Sequence, residues 1–89
     1  MQQVEFARHV KRICDETAEM LIHKNEAYGN SALDPIRVFS QADTKEQLKV
    51  RIDDKLSRVL RGDIVSEDVV QDLIGYLVLL RIAEVDEDG

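Results

Sequence analysis

The sequence predicts an all-α fold, a compact three-helix subunit with a long loop between helices one and two that assembles as a homo-oligomer. Apolar residues recur at helical spacing in three long segments. Turn-forming residues and the single proline interrupt that spacing over residues 29–43. The third segment is apolar around its whole circumference, and two partner helices cannot cover such a helix on every side.

Length and composition predict one small domain. The 89 residues fit a single helical domain, 1–89, with an acidic C-terminal tail at about 85–89. Cys14 is the only cysteine, so no disulfide can form within the chain, which is typical of a reducing compartment. There is no leader pattern and no apolar run of about 20 residues, and we therefore expect a cytoplasmic protein with no membrane partner.

The charge balance argues against binding to a nucleic-acid polymer. Twelve basic and 18 acidic residues give a net charge of -6, which repels DNA and RNA. A small anion responds mainly to charges within about 10 Å. A local basic pocket can therefore still bind one.

Helix one is predicted from Val4 to Tyr28 and is followed by the loop. Its apolar face contains Phe6, Val10, Ile13, Cys14, Thr17, Met20, Leu21 and Tyr28. The loop, residues 29–43, is long for so small a domain, and such loops often carry function. We expect its apolar residues Ile36, Val38 and Phe39 to pack into the core.

Helix two follows a capping signal at Asp43 or Thr44 and extends to Gly62. Its buried stripe contains Leu48, Ile52, Leu56, Val59 and Leu60. Helix three is predicted from a cap at Ser66 to about Glu84, to within two to four residues. Its excess apolar surface predicts packing against other copies; the alternative is that the loop around Phe39 covers it.

Lys24 is the main candidate for a binding residue. It lies about five turns after Phe6 and therefore projects from the apolar face of helix one. An ammonium group there either reaches water along its own stem, near a helix end that favours cations, or meets an anion. Tyr28, one turn later, offers a ring for a base to stack on.

The segment after Tyr28 offers groups for a phosphate. Gly29, Asn30 and Ser31 supply backbone N–H groups and a hydroxyl, although Gly29 also suits a left-handed helix cap. Arg37 in the loop is a further candidate, because loops present side chains to ligands.

Metal chemistry and common catalytic motifs are not predicted. His9 and His23 are about 21 Å apart along one helix, and Cys14 has no second thiol. His9 is also about 22 Å from Lys24 along the axis, so one small ligand can contact both only if helices of two copies run antiparallel. No nucleophile elbow, GxGxxG or Walker loop is present.

Three segments together resemble a known family. "KNEAYGNSALDPIRVFS", "VRIDDKLSRVLRG" and "EDVVQDLIGYLVLLRIA" are similar to phage anti-CBASS sponges, which bind the cyclic oligonucleotides of bacterial immunity. The resemblance implies an all-helical hexamer in the host cytoplasm that sequesters cyclic dinucleotides without cutting them and has separate pockets for cyclic trinucleotides. It implies no cofactor and no catalytic residue.

The resemblance also implies where a cyclic dinucleotide binds. In the family the pocket lies between the N-terminal helices of two subunits, with an aromatic ring and a lysine. Lys24 in the "KN" pair matches that lysine. The ring falls near His9, where histidine replaces the expected tyrosine, and Phe6 is an alternative.

Two other functions compete with the sponge. The "DDK" and "DLIGY" segments also resemble, more distantly, nucleotide-modification-associated proteins and MazG-like NTP pyrophosphatases, which hold Mg²⁺ with paired carboxylates. Asp68 and Asp72 supply one such pair, but helix two supplies no second pair. The third possibility is a helical adaptor whose apolar helix three binds a host protein.

Overall fold

The computed structural model contains three α-helices in the order α1 (Gln3–Tyr28), α2 (Thr44–Leu60) and α3 (Glu67–Asp88). It describes residues 1–34, 39–40, 42–62 and 67–88, and the side chains of α3 from 69 to 86. No strand occurs within these ranges. The all-helical, three-helix prediction is therefore confirmed. The loop prediction depends in part on residues 35–38 and 41, which lie outside the described residues.

The first two helices begin and end close to the predicted positions. Asp43 caps α2, where a carboxylate oxygen accepts a hydrogen bond from the backbone N–H of Glu46 at 2.8 Å. Gly29 ends α1 in the left-handed conformation, with φ 61°. It is therefore a helix cap, the second of the two roles that the sequence suggested for it. The predicted cap of α3, Ser66, lies outside the described residues.

The last helix ends at Asp88, four residues beyond the expected end near Glu84 and at the limit of the stated range. The helix continues through acidic residues although these oppose the helix dipole near a C-terminus. The segment expected as an acidic tail is thus helical to Asp88.

The α3 helix is the centre of the subunit. It packs against both α1 and α2, whereas α1 and α2 make no such contact among the described residues. Leu48 on α2 and Thr17 on α1 are buried against this centre, as their positions on the predicted stripes indicated. Leu48 is the only large apolar side chain that is fully buried among the described residues, so the core is small.

The crossing of α1 and α3 depends on one glycine and one polar pair. A Cβ atom added at Gly75 would lie 3.0 Å from Met20 Cε and 3.3 Å from Leu21 Cδ2, so the helices approach closely there. The Gln71 amide donates a hydrogen bond to Thr17 Oγ1 at 3.0 Å, and the Thr17 hydroxyl donates to the carbonyl of Ile13 at 2.9 Å. These bonds satisfy the buried hydroxyl and fix the position of α1 along α3.

The prediction that Phe39 packs into the core was wrong. Its side chain is 93% exposed, beside a local turn in which Ser40 Oγ accepts a hydrogen bond from Ala42 N–H. Apolar character predicted burial, but no described helix offers Phe39 a surface. Ile36 and Val38, expected to pack with it, lie outside the described residues.

Large apolar side chains remain exposed on all three helices. The prediction that Leu56 and Leu60 belong to a buried stripe of helix two was wrong, since they are 44% and 87% exposed. The first half of α1 is uncovered at Val4, Phe6, Val10 and Ile13. An exposed stripe on α3 contains Val70, Leu77, Val78, Ile82 and Val85. The radius of gyration, 15.1 Å, exceeds the roughly 12 Å expected of a compact domain of this length, so the single chain is elongated.

Candidate functional site

A groove of about 250 Å³ lies between the last turns of α1 and the other two helices. Its polar lining residues are Lys24, Asn25, Tyr28, Ser31, Arg51, Asp72 and Tyr76. Its apolar floor is formed by Met20, Leu21, Ala32, Gly75 and Leu79. All three helices and the turn after α1 therefore contribute to one site.

Helical spacing on α1 brings its groove residues together. Met20, Lys24 and Tyr28 are successive members of an i, i+4 series and so lie on one face of the helix. Further up the same face, Thr17 makes the polar contact with α3. The face that anchors α1 thus continues directly into the groove.

The groove contains two cations without partners. Lys24 and Arg51 are exposed, and neither makes an ion pair or hydrogen bond with a described residue. Other basic residues of α2 are paired: Lys49 with Glu46 at 3.5 Å, Lys55 with Asp72 at 3.2 Å and Arg58 with Asp54 at 3.1 Å. Lys24 and Arg51 are therefore available to an anion.

The ion pairs are of two kinds. Arg12–Glu16, at 3.9 Å, Asp54–Arg58 and Glu46–Lys49 each join exposed side chains one turn apart on a single helix. Lys55 differs, because its side chain is only 19% exposed and pairs across from α2 to α3.

Two tyrosine rings line the same groove as the cations. Tyr28 comes from the end of α1 and Tyr76 from the middle of α3. Aromatic faces bind planar groups by stacking, and cations bind phosphate oxygens. The lining therefore suits a ligand that carries both an aromatic ring and a negative charge.

The turn after α1 contributes less than the sequence suggested. The backbone N–H groups of Gly29 and Asn30 both donate to the carbonyl of Asn25, so neither is free for a phosphate. These two residues cap α1, with Asn30 also at positive φ, and neither lines the groove. Gly29 and Asn30 were placed in the site because of their free N–H groups, and the structure does not support that placement. Ser31, in contrast, does line the groove.

The remaining predicted site residues lie away from the groove. Phe6 and His9 are exposed on the first half of α1, and His9 is separated from Lys24 by about 22 Å along the helix axis. Arg37 lies outside the described residues. One chain therefore brings together Lys24, Tyr28 and Ser31 but not Phe6 or His9.

Sequence reasoning missed four polar lining residues. Asp72 was considered only as a metal ligand, and Asn25, Arg51 and Tyr76 were given no role in a site. The apolar period of a segment shows which face of that helix is buried. It does not show which residues of another helix that face contacts. A signal was nevertheless present, since Arg51 and Tyr76 belong to the second and third segments that carry the family resemblance.

A second depression, of about 220 Å³, lies between the start of α2 and the end of α3. Its polar lining includes the carboxylates of Asp43 and Asp86 beside Lys45, and it has no aromatic ring among the described residues. This lining suits an anion less well than the groove does.

Two other kinds of feature are absent from the part of the chain that the structure describes. No helix in this part is long and apolar enough to cross a membrane. No cluster of three or more histidine, cysteine or acidic side chains there has the arrangement of a metal site.

Comparison with known proteins leaves the resemblance to cyclic-oligonucleotide sponges a prediction, since no protein-family model, no curated protein and no solved structure matches this chain.

Proposed function

We propose that this protein binds and sequesters cyclic oligonucleotides, cyclic dinucleotides in the first place, without hydrolysing them, and so blocks CBASS immunity in the host cytoplasm. The observation that carries the proposal is the pair of unpartnered cations, Lys24 and Arg51, in one groove with Tyr28 and Tyr76. Exposed cations without partners are common, and Arg8 and Lys11 on α1 also have none among the described residues. What distinguishes Lys24 and Arg51 is that they line one groove together with two aromatic rings, where a small anion responds to local charge rather than to the net charge of -6.

The groove matches the parts of a nucleotide. Lys24 and Arg51 bind phosphate oxygens, and the guanidinium of Arg51 can do so through two parallel hydrogen bonds. Tyr28 and Tyr76 bind a base through their faces. Ser31 and Asn25 add a hydroxyl and an amide for the sugar or the phosphate.

The size of the groove indicates that part of a cyclic dinucleotide lies outside it. At about 250 Å³ it falls below the usual range for drug-sized ligands, about 300–1,000 Å³. A second copy that covers the open side would enlarge the site. Phe6 and His9 of that copy reach Lys24 if the two α1 helices pack antiparallel, and the family resemblance favours this arrangement.

Assembly into a homo-oligomer, a hexamer by the resemblance, is part of the proposal. It is supported by the exposed stripe on α3 and by the apolar first half of α1. The alternative cover for α3, the loop around Phe39, is disfavoured because the Phe39 ring is 93% exposed. Cyclic trinucleotides are proposed as further ligands on the resemblance alone.

Calorimetric titration with a panel of cyclic dinucleotides and trinucleotides tests the function directly. We expect saturable binding of at least one cyclic dinucleotide and a melting temperature that rises with its concentration. Chromatography of the ligand released by denaturation should recover it unchanged. If no member of the panel binds, the proposal fails.

The alternative function, an NTP pyrophosphatase, is tested with the same purified protein. A MazG-like pyrophosphatase requires Mg²⁺-dependent release of pyrophosphate from an NTP. The sequence offers one candidate pair of metal-binding carboxylates, Asp68 and Asp72. The side chain of Asp68 is not among the described side chains, and Asp72 forms an ion pair with Lys55. Pyrophosphate release that stops on removal of Mg²⁺ would replace the sponge proposal with this one.

A further inference from the structure

The groove contains one acidic side chain among its lining residues, that of Asp72. Its side chain is 33% exposed, and it lies one turn before Tyr76 on the same face of α3. A carboxylate repels phosphate, so its presence beside Lys24 and Arg51 is not explained by anion binding. Its ion pair with Lys55 joins α2 to α3, but that pair does not require the carboxylate to line the groove as well.

Lys55 holds this carboxylate from outside the groove. Lys55 Nζ lies 3.2 Å from Asp72 Oδ2, and Lys55 does not line the groove, whereas Arg51, one turn earlier on α2, does. The second oxygen, Oδ1, has no hydrogen bond with a described residue. A carboxylate oxygen on a partly buried side chain is suited to accept a hydrogen bond from an N–H group of a ligand.

The groove residues divide by chemistry between the parts of the ligand. Phosphate binds the free cations Lys24 and Arg51, which leaves Tyr76 and Asp72, one turn apart on α3, for the base. An ionised carboxylate only accepts hydrogen bonds, so it favours a base edge that presents donors. A base with an acceptor at that position leaves the carboxylate unpaired and is rejected.

Guanine is the base that meets this requirement best. Its Watson–Crick edge places the N1–H and N2–H groups side by side, whereas adenine has an acceptor at N1. We propose that Asp72, positioned by Lys55, is a specificity-determining residue that selects guanine in the ligand. This inference rests on the proposed function, since it concerns the same groove.

Titration of the unmodified protein with three cyclic dinucleotides gives the first test. Cyclic di-GMP, cyclic di-IMP and cyclic di-AMP differ at the Watson–Crick edge of the base. Guanine presents N1–H and the N2 amino group, the inosine base keeps N1–H but lacks the amino group, and adenine has an acceptor at N1. We expect cyclic di-GMP to bind at least about tenfold tighter than cyclic di-AMP, with cyclic di-IMP between them. Equal binding of all three would overturn the inference and leave the proposed function intact.

The variant Asp72→Asn gives the second test. It keeps the size of the side chain but replaces the anionic acceptor, so the preference for cyclic di-GMP over cyclic di-AMP should fall below about threefold, through weaker guanine binding. Glu84→Gln is the matched control, because Glu84 is on the same helix, pairs with Arg81 at 3.2 Å and does not line the groove. It should leave the preference unchanged.

The outcomes separate the two proposals. An undiminished guanine preference in Asp72→Asn shows that another group reads the base and overturns the inference. Failure of every cyclic dinucleotide to bind overturns both the inference and the function. If Asp72→Asn does not fold, the three-ligand titration of the unmodified chain still decides.

Discussion

Lys24 shows at the scale of one residue why position on a helix matters more than residue type. Lys11 and Lys24 both lie on α1, and both are exposed. Only Lys24 continues the face of α1 that meets α3, and therefore only Lys24 enters the groove. Snorkelling alone would explain an exposed lysine, but it does not explain why Arg51 from α2 lies in the same groove without a partner.

The first prediction concerns this lysine. Lys24→Ala should weaken cyclic dinucleotide binding by at least about tenfold, equivalent to about 1.4 kcal/mol, because it removes one of two cations that face the phosphate. Lys11→Ala makes the same change in net charge outside the groove and should bind as the unmodified protein does. Calorimetry on both variants measures the difference. Equal losses would assign the effect to overall charge rather than to the groove.

At the scale of the helices, the crossing of α1 and α3 positions the groove. Thr17 and Gln71 form the polar contact at this crossing, and Gly75 allows the close approach one turn later. The groove begins directly beyond this point, with Met20 and Leu21 on its floor. Changes at the crossing therefore affect stability and, through the distance between the helices, the shape of the site.

The polar contact predicts a measurable coupling between the two helices. Thr17→Val and Gln71→Leu should each lower the free energy of unfolding by about 1–2 kcal/mol, since each leaves a polar group without its partner. The double variant should lose less than the sum of the two, by about 0.5–1.5 kcal/mol. Urea denaturation of the four proteins measures this coupling. Strict additivity would show that the hydrogen bond does not contribute to the native state.

Gly75 predicts a dependence on side-chain size. In Gly75→Ala the added methyl meets the flexible end of Met20, and the better helix propensity of alanine, worth about 1 kcal/mol, offsets the crowding. Gly75→Leu adds a bulk that this crossing has no room for and should lower the free energy of unfolding by about 1–3 kcal/mol. The alanine variant is the control, with a change close to zero. Similar stability for both would mean that α1 and α3 are not closely packed here.

The sequence predicted the helices better than it predicted their contacts. Capping chemistry and apolar period are local, so the starts of α1 and α2 and the glycine cap at Gly29 were predicted closely. Lys24 and Tyr28 were found because they share one helix face. Arg51 and Tyr76 were missed, because their place beside Lys24 depends on how three helices cross. Phe39 was misplaced because hydrophobicity predicts burial without specifying a surface.

At the scale of the whole molecule, the uncovered apolar surface is the main feature. One large apolar side chain is fully buried among the described residues, while Leu77 on α3 and Val10 on α1 are 53% and 45% exposed. At about 25 cal/mol per Å² of buried apolar area, covering such surfaces favours association strongly. A three-helix subunit with so small a core is therefore expected to depend on its neighbours for stability.

The last prediction tests this dependence. Leu77→Glu places a charge in the exposed stripe of α3, where an interface would have to bury it, and should convert the oligomer to single chains with a mass near 10.2 kDa. Val50→Glu adds the same charge on α2 outside the stripe, at an apolar residue that is 64% exposed against 53% for Leu77, and should leave the assembly intact. Light scattering during size-exclusion chromatography gives the masses, and circular dichroism checks that the helices persist.

Because the proposed site is completed by Phe6 and His9 of a second copy, the Leu77→Glu variant should also bind cyclic dinucleotide more weakly although its own groove is unchanged. Single chains in the unmodified protein at tens of micromolar, with full affinity, would show that the groove of one subunit is sufficient.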